Sequence, residues 1–161
     1  MLIEMSIKGL TVDPTTNTPV VILKNKQGDR VLPIWVGVFE ASAIAHQIEN
    51  VPTPRPMTHD LLKNVITDLD GRVDRIVVCD LKDNTFYALI YMTVRGETVA
   101  VDARPSDAIA LALRTQSPIL VEESVIDSAK HTEFTTEQET ADRLQQWLEN
   151  LDPDDMGKYK M

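Results

Sequence analysis

The stretch VAVDARPSDAIALALRT, residues 99–115, changes its hydrophobic period halfway along. Its first residues, Val99 to Val101, read as an extended segment, and its last, from Ala108, return to apolar character at helical spacing. Between them Asp102, Arg104, Ser106 and Asp107 crowd the junction. Pro105 suits a first helical position, because its missing N–H would be unpaired there in any case. The pattern therefore predicts a helix over 105–115, with Ala108, Ala110 and Ala112 permitting close packing. A helix start carries unpaired N–H groups and favours negative charge, so the polar cluster is either a site or a cap.

Working outward, residues 73–102 read as a three-stranded meander with turns at Lys82-Asp83-Asn84 and Arg95-Gly96. Its middle run sets Phe86, Ala88, Ile90, Met92 and Val94 on one face and Tyr87, Leu89 and Tyr91 on the other, which predicts a central strand covered on both sides. The first 36 residues read as three strands, beginning with the alternation of Ile3, Met5 and Ile7 against Glu4, Ser6 and Lys8. After Gly37 the period becomes helical through Phe39, Ala41, Ile44, Ala45 and Ile48. Pro52, Pro54 and Pro56 then deny a helix until Pro56, which is placed to open one whose apolar stripe is Leu61, Leu62, Val65, Ile66 and Leu69. A short strand and a helical turn follow residue 118, and a last helix is predicted from a capping box at Thr136 and Glu139. Strands, helices, strands, helices is not the regular alternation of a doubly wound sheet. It predicts a single α+β domain with a mostly antiparallel, mixed sheet, residues 1–130 forming its body and 131–161 an acidic C-terminal helix and tail.

Composition is that of a soluble globular protein, with 43% hydrophobic and 25% charged residues in 161. The single Cys79 lies in an apolar run and cannot form an internal bridge, which fits a reducing compartment. No segment approaches a membrane span or a secretory leader, so the expected location is cytoplasmic. A net charge of −9 argues against a broad basic nucleic-acid surface. That charge is uneven: residues 131–161 hold eight acids against three bases.

Three predicted helix starts carry acidic clusters: Glu40, then His59 with Asp60, then Asp107. Two share an Arg-Pro pair, Arg55-Pro56 and Arg104-Pro105. Each carboxylate could simply complement a helix dipole, worth about 0.3–1 kcal/mol. Were the helix ends to converge, His59 could exchange a proton with a reacting group, assisted by Asp60, Asp102 and Asp107. Arg55, Arg104 and Ser106 could hold an anionic substrate. Asp102, Asp107 and Glu40 are hard oxygen donors suited to Mg2+ or Mn2+, or equally to a structural ion network with the arginines. There is no Walker lysine loop, GxGxxG, GxSxG, HExxH or paired CxxC, which removes the common ATPase, dinucleotide, α/β-hydrolase, zinc-protease and zinc-finger readings.

Taken together, LPIWVGVFEASAI (32–44), RPMTHDLL (55–62) and VDARPSDAIALALR (101–114) resemble the bifunctional nuclease family over roughly residues 2–130. The resemblance implies an α+β domain that tends to dimerise and the RNase and DNase activity for which the family is named. It brings no catalytic mechanism, so the roles above rest on the residues alone. Two functions follow. One is a nuclease acting on single-stranded RNA or DNA. The other is a non-catalytic module binding a small anion or a protein partner. A basic groove would favour the first, and a pocket whose arginines are all paired to acids the second. A homodimer is expected from the exposed sheet edges and small-residue helices.

Overall fold

The computed structural model describes residues 1–129. Alternating apolar residues near the N-terminus form three antiparallel strands, β1 (Leu2–Val12), β2 (Pro19–Asn25) and β3 (Val31–Trp35). The later meander forms β4 (Gly71–Lys82), β5 (Thr85–Val94) and β6 (Glu97–Ala103). Its two hairpin turns place Asp83 and Asn84, then Arg95 and Gly96, at positive φ, the backbone that two-residue turns between twisted strands require. A short strand, β7 (Ile119–Glu122), lies between β1 and β4, so the two meanders become one seven-stranded sheet ordered β3-β2-β1-β7-β4-β5-β6. Only the β4–β7 pairing is parallel among the described residues.

Three helices follow the extended segments: α1 (Val38–Ile48), α2 (Thr58–Asp68) and α3 (Pro105–Thr115); a short α4 (Glu123–Ser128) ends the described chain. Helix α3 packs against both α1 and α2 and lies over β4 and β5, where Ile109, Leu111 and the small Ala108 and Ala112 join Ile76, Val78, Ala88 and Ile90 in one core. The α+β architecture is the one the segment order predicts. No described helix is long and apolar enough to cross a membrane. The last helix predicted from Thr136 and Glu139 lies outside the described residues.

Three expectations change on folding. Helix α2 starts at Thr58, two residues after Pro56, because Asp60 accepts the Met57 backbone N–H at 3.0 Å and so sets the start there. The α2 stripe is not core: Leu61 and Leu69 are 56% and 61% exposed, Leu62 and Val65 are exposed too, and His59 is the buried residue of this helix. Finally, among the described residues β5 is covered by helices on one face only. On the other, Tyr87 is exposed and Tyr91 is half-buried, with the Arg75 guanidinium stacked 4.1 Å from the Tyr91 ring centroid.

Candidate functional site

Each of the three long helices places a carboxylate at its third residue, Glu40 in α1, Asp60 in α2 and Asp107 in α3. That position complements the helix dipole, and here the three helix starts also converge. His59 Nε2 lies 2.9 Å from Asp107 Oδ1, joining the RPMTHD and DARPSD segments. The second oxygen of Asp107 accepts from Arg104 Nε at 2.9 Å, while Arg104 Nη2 reaches Glu40 Oε1 at 2.7 Å. The Glu40 carboxylate folds back over Gly37, so closely that a Cβ at position 37 would collide with Oε2.

Beside this cluster runs a second network that the sequence did not reveal. Arg114, in the last turn of α3, is buried and donates from Nε to Asp60 Oδ1 at 2.7 Å, from Nη1 to the Ala110 carbonyl at 2.9 Å and from Nη2 to the Ala43 carbonyl at 3.0 Å. One guanidinium thus ties α1, α2 and α3 together. The available signal was a lone basic residue ending the apolar run AIALALR, which reads equally well as an exposed C-terminal helix charge.

A cleft of about 580 Å³ opens over both networks, with Glu40, His59, Asp60, Arg104, Asp107 and Arg114 among its walls. His46, in the last turn of α1, lines it as well. Burial holds the His46 imidazole below its ordinary pKa, helped by the nearby Arg114 charge and opposed by Asp60. Burial would raise the Asp107 carboxyl, but hydrogen bonds from Arg104 and His59 outweigh it and hold the group below the usual range. Asp60 is likewise lowered, burial being outweighed by the Met57 N–H and by Arg114.

These shifts fix the sign of a pH dependence. Where the folded pKa is depressed, the unfolded chain binds more protons, so stability rises with pH through that range. The contribution of Asp60 and Asp107 is full above their unfolded value of about 4 and is lost as the pH falls through their lower folded values; that of His46 is lost below about 6.5. The urea midpoint should therefore fall slightly below neutrality and more steeply in strong acid. Asp107→Asn and Asp60→Asn should each flatten the acid limb, and an unchanged limb in both would show that these carboxyls do not carry it.

The remaining predicted site residues lie apart. Asp102 pairs in register with Leu89 and is exposed, one position out of phase with Ala103 and Ala88 on the helix side, so it stands on the opposite face near Cys79. Arg55 is exposed in the loop before α2, where its carbonyl accepts from Thr53 Oγ1, and its side chain lines neither cavity described here. Ser106 is buried as the second residue of α3. The three carboxylates named as hard oxygen donors are thus not brought together: Glu40 and Asp107 are engaged by Arg104, and Asp102 stands on the other face. Among the described residues there is no group of three or more His, Cys, Asp or Glu side chains that could hold a metal ion.

The fold and this cluster define a class: an α+β domain with three helix N-termini gathered around a histidine–carboxylate–arginine network. The family model described as the bifunctional nuclease domain matches residues 21–133, and the chain belongs to that family. An uncharacterized protein of Mycobacterium tuberculosis is 38% identical over 162 residues, covering 94% of this chain and 96% of its own length. Bifunctional nuclease 1 of Oryza sativa subsp. japonica is 29% identical over 105 residues, 63% of this chain and 32% of the rice protein. Bifunctional nuclease 2 of Arabidopsis thaliana is 28% identical over 127 residues, covering 71% of this chain and 39% of the plant protein.

Proposed function

We propose that this chain cleaves phosphodiester bonds of single-stranded RNA or DNA, with His59 as the proton-transferring group. The observation that carries the reading is the 2.9 Å contact between His59 Nε2 and Asp107 Oδ1 in the wall of an open cleft. An ionised carboxylate only accepts hydrogen bonds, so Nε2 carries the hydrogen of this contact, and Nδ1 keeps a lone pair whenever the ring holds a single proton. That lone pair can take the proton of an attacking oxygen, while Asp107 fixes the ring and stabilises the imidazolium that forms. Arg104 retains N–H donors beyond its two ion pairs and can meet the charge developing on the phosphate. Membership of a family whose plant members are named bifunctional nucleases supports the same chemistry.

A second reading, a non-catalytic module for a small anion or a protein partner, is favoured by one specific observation. Both arginines in the cleft are already paired with acids, Arg104 with Glu40 and Asp107 and Arg114 with Asp60, so the cleft offers no basic groove. The assay that separates the two compares single-stranded RNA and DNA cleavage by identically purified wild type, His59→Ala, Asp107→Asn and Asp102→Asn, with magnesium, manganese or chelator present. The nuclease reading expects loss in the first two variants and wild-type activity in Asp102→Asn. A folded wild type that cleaves neither substrate under any condition establishes the binding module instead.

The chain is also proposed to work as a homodimer. Helix α2 exposes Leu61, Leu62, Val65 and Leu69, and the edge strand β6 exposes Val99 and Val101, an unusual amount of apolar surface for a lone domain. Light scattering at micromolar concentration should report about twice 18.0 kDa. A mass of one chain under those conditions would overturn this.

A further inference from the structure

A second cavity, of about 660 Å³, shares only Arg104 with the cleft. Its walls include Gly37, at the start of α1, and Pro105 and Ser106, the first two residues of α3, so two helix N-termini border it. Asn84 and Thr85 belong to its lining as well. No carboxylate is among its described lining residues, whereas Glu40, Asp60 and Asp107 all line the cleft. Ser106 supplies the independent pointer. It is 6% exposed, it lines this cavity, and its hydroxyl makes no hydrogen bond to any described residue. That hydroxyl is not sealed off as the unpaired Thr11 Oγ1 is, so a group entering the cavity can bond to it. Here the partner would come from outside the protein.

We infer that this cavity binds a phosphate group through the Ser106 hydroxyl, the free backbone N–H groups at the start of α3, and Arg104. The chemistry matches the donors. A phosphate oxygen accepts strongly from hydroxyls and from helix-start N–H groups, the dipole of α3 favours its charge, and Arg104 has donors left after its two ion pairs. A cation would find no carboxylate among the described lining residues, and a neutral apolar ligand would leave the Ser106 hydroxyl unpaired. The inference rests on the nuclease reading only for the source of the phosphate. If that reading holds, Arg104 stands between the cleft where a bond is cut and a subsite holding a neighbouring phosphate of the same strand.

The test is a titration of the full-length chain followed by backbone amide NMR, using inorganic phosphate first. Oligothymidylates with and without a 5′-phosphate follow, on the His59→Ala protein so that no probe is consumed. The amides of Ser106, Asp107 and Gly37 should shift saturably. Ser106→Ala should weaken binding about tenfold, the loss of one hydrogen bond to a charged group. Ser106→Asp should abolish it, and thermal melting of each variant confirms that it is folded. Preference for the 5′-phosphorylated oligomer assigns the cavity to a terminal monoester, and equal affinity assigns it to an internal diester; both uphold the inference. Absence of saturable shifts at Ser106 and Asp107 with every probe, or undiminished affinity in both Ser106 variants, overturns it. Should the folded wild type cleave neither substrate while the Ser106 amide still responds to phosphate, the nuclease reading fails and the phosphate site stands.

Discussion

Replacing His59 by alanine is expected to reduce cleavage of single-stranded RNA or DNA by about 10²- to 10⁴-fold, the range that one positioned acid–base group supplies. Asp107→Asn keeps the shape of the side chain and removes its charge. It should reduce the rate as well, because an amide can present its N–H₂ to His59 and reverse the hydrogen-bond direction that an ionised Asp107 imposes on Nε2. In both variants kcat should fall more than KM rises, since neither residue supplies binding energy that is spent before the transition state. Single-turnover rates on a fluorescent oligonucleotide measure the effect directly. Equal activity in wild type and His59→Ala would place the chemistry elsewhere. Because His59 is buried and bridges α2 to α3, His59→Gln should accompany it, with melting temperatures to separate lost chemistry from lost structure.

The largest expected effect on stability lies at Arg114. Its guanidinium satisfies Asp60 and the carbonyls of Ala43 and Ala110, and its side chain is 5% exposed. Arg114→Ala removes this donor from all three acceptors and opens space between three helices. The expected cost is about 3 kcal/mol, at the lower end for a broken buried ion pair because Asp60 keeps some access to water. For a chain of this size that is a fall of about 6–12 °C in melting temperature. Arg114→Lys should recover only part, because an ammonium on a flexible stem cannot hold three acceptors in the planar fork that a guanidinium presents. Urea denaturation of Arg114→Ala, Asp60→Ala and the double variant gives the coupling between the two residues. A loss of less than about 0.5 kcal/mol in Arg114→Ala would show that water replaces the network without penalty.

Local chemistry was legible along the chain wherever it depended on near neighbours. The switch of hydrophobic period in residues 99–115 and Pro105 determined helix α3 over Pro105–Thr115, because both a helix start and a period are set by residues within one or two turns. The turn residues determined the hairpins in the same way, and polar clusters at helix starts singled out Glu40, His59, Asp60 and Asp107 as candidate site residues. Only the tertiary structure decided which of these meet. Asp102 and Asp107 are five residues apart, but one belongs to a strand, where successive side chains alternate between faces, and the other to a helix. The register of β6 against β5 therefore turned Asp102 away while α3 turned Asp107 toward His59. Whether the apolar stripe of α2 is core or surface depends on what packs over it, and its Leu61 and Leu69 remain exposed. Arg114 became a buried strut only because α1 and α2 deliver the Ala43 carbonyl and Asp60 to it from 71 and 54 residues away. The insertion of β7 between β1 and β4 joins two meanders that each looked complete. Periodicity reports which way a side chain points within its own element. The partner on the other side is set by long-range pairing, and that is a property of the folded chain.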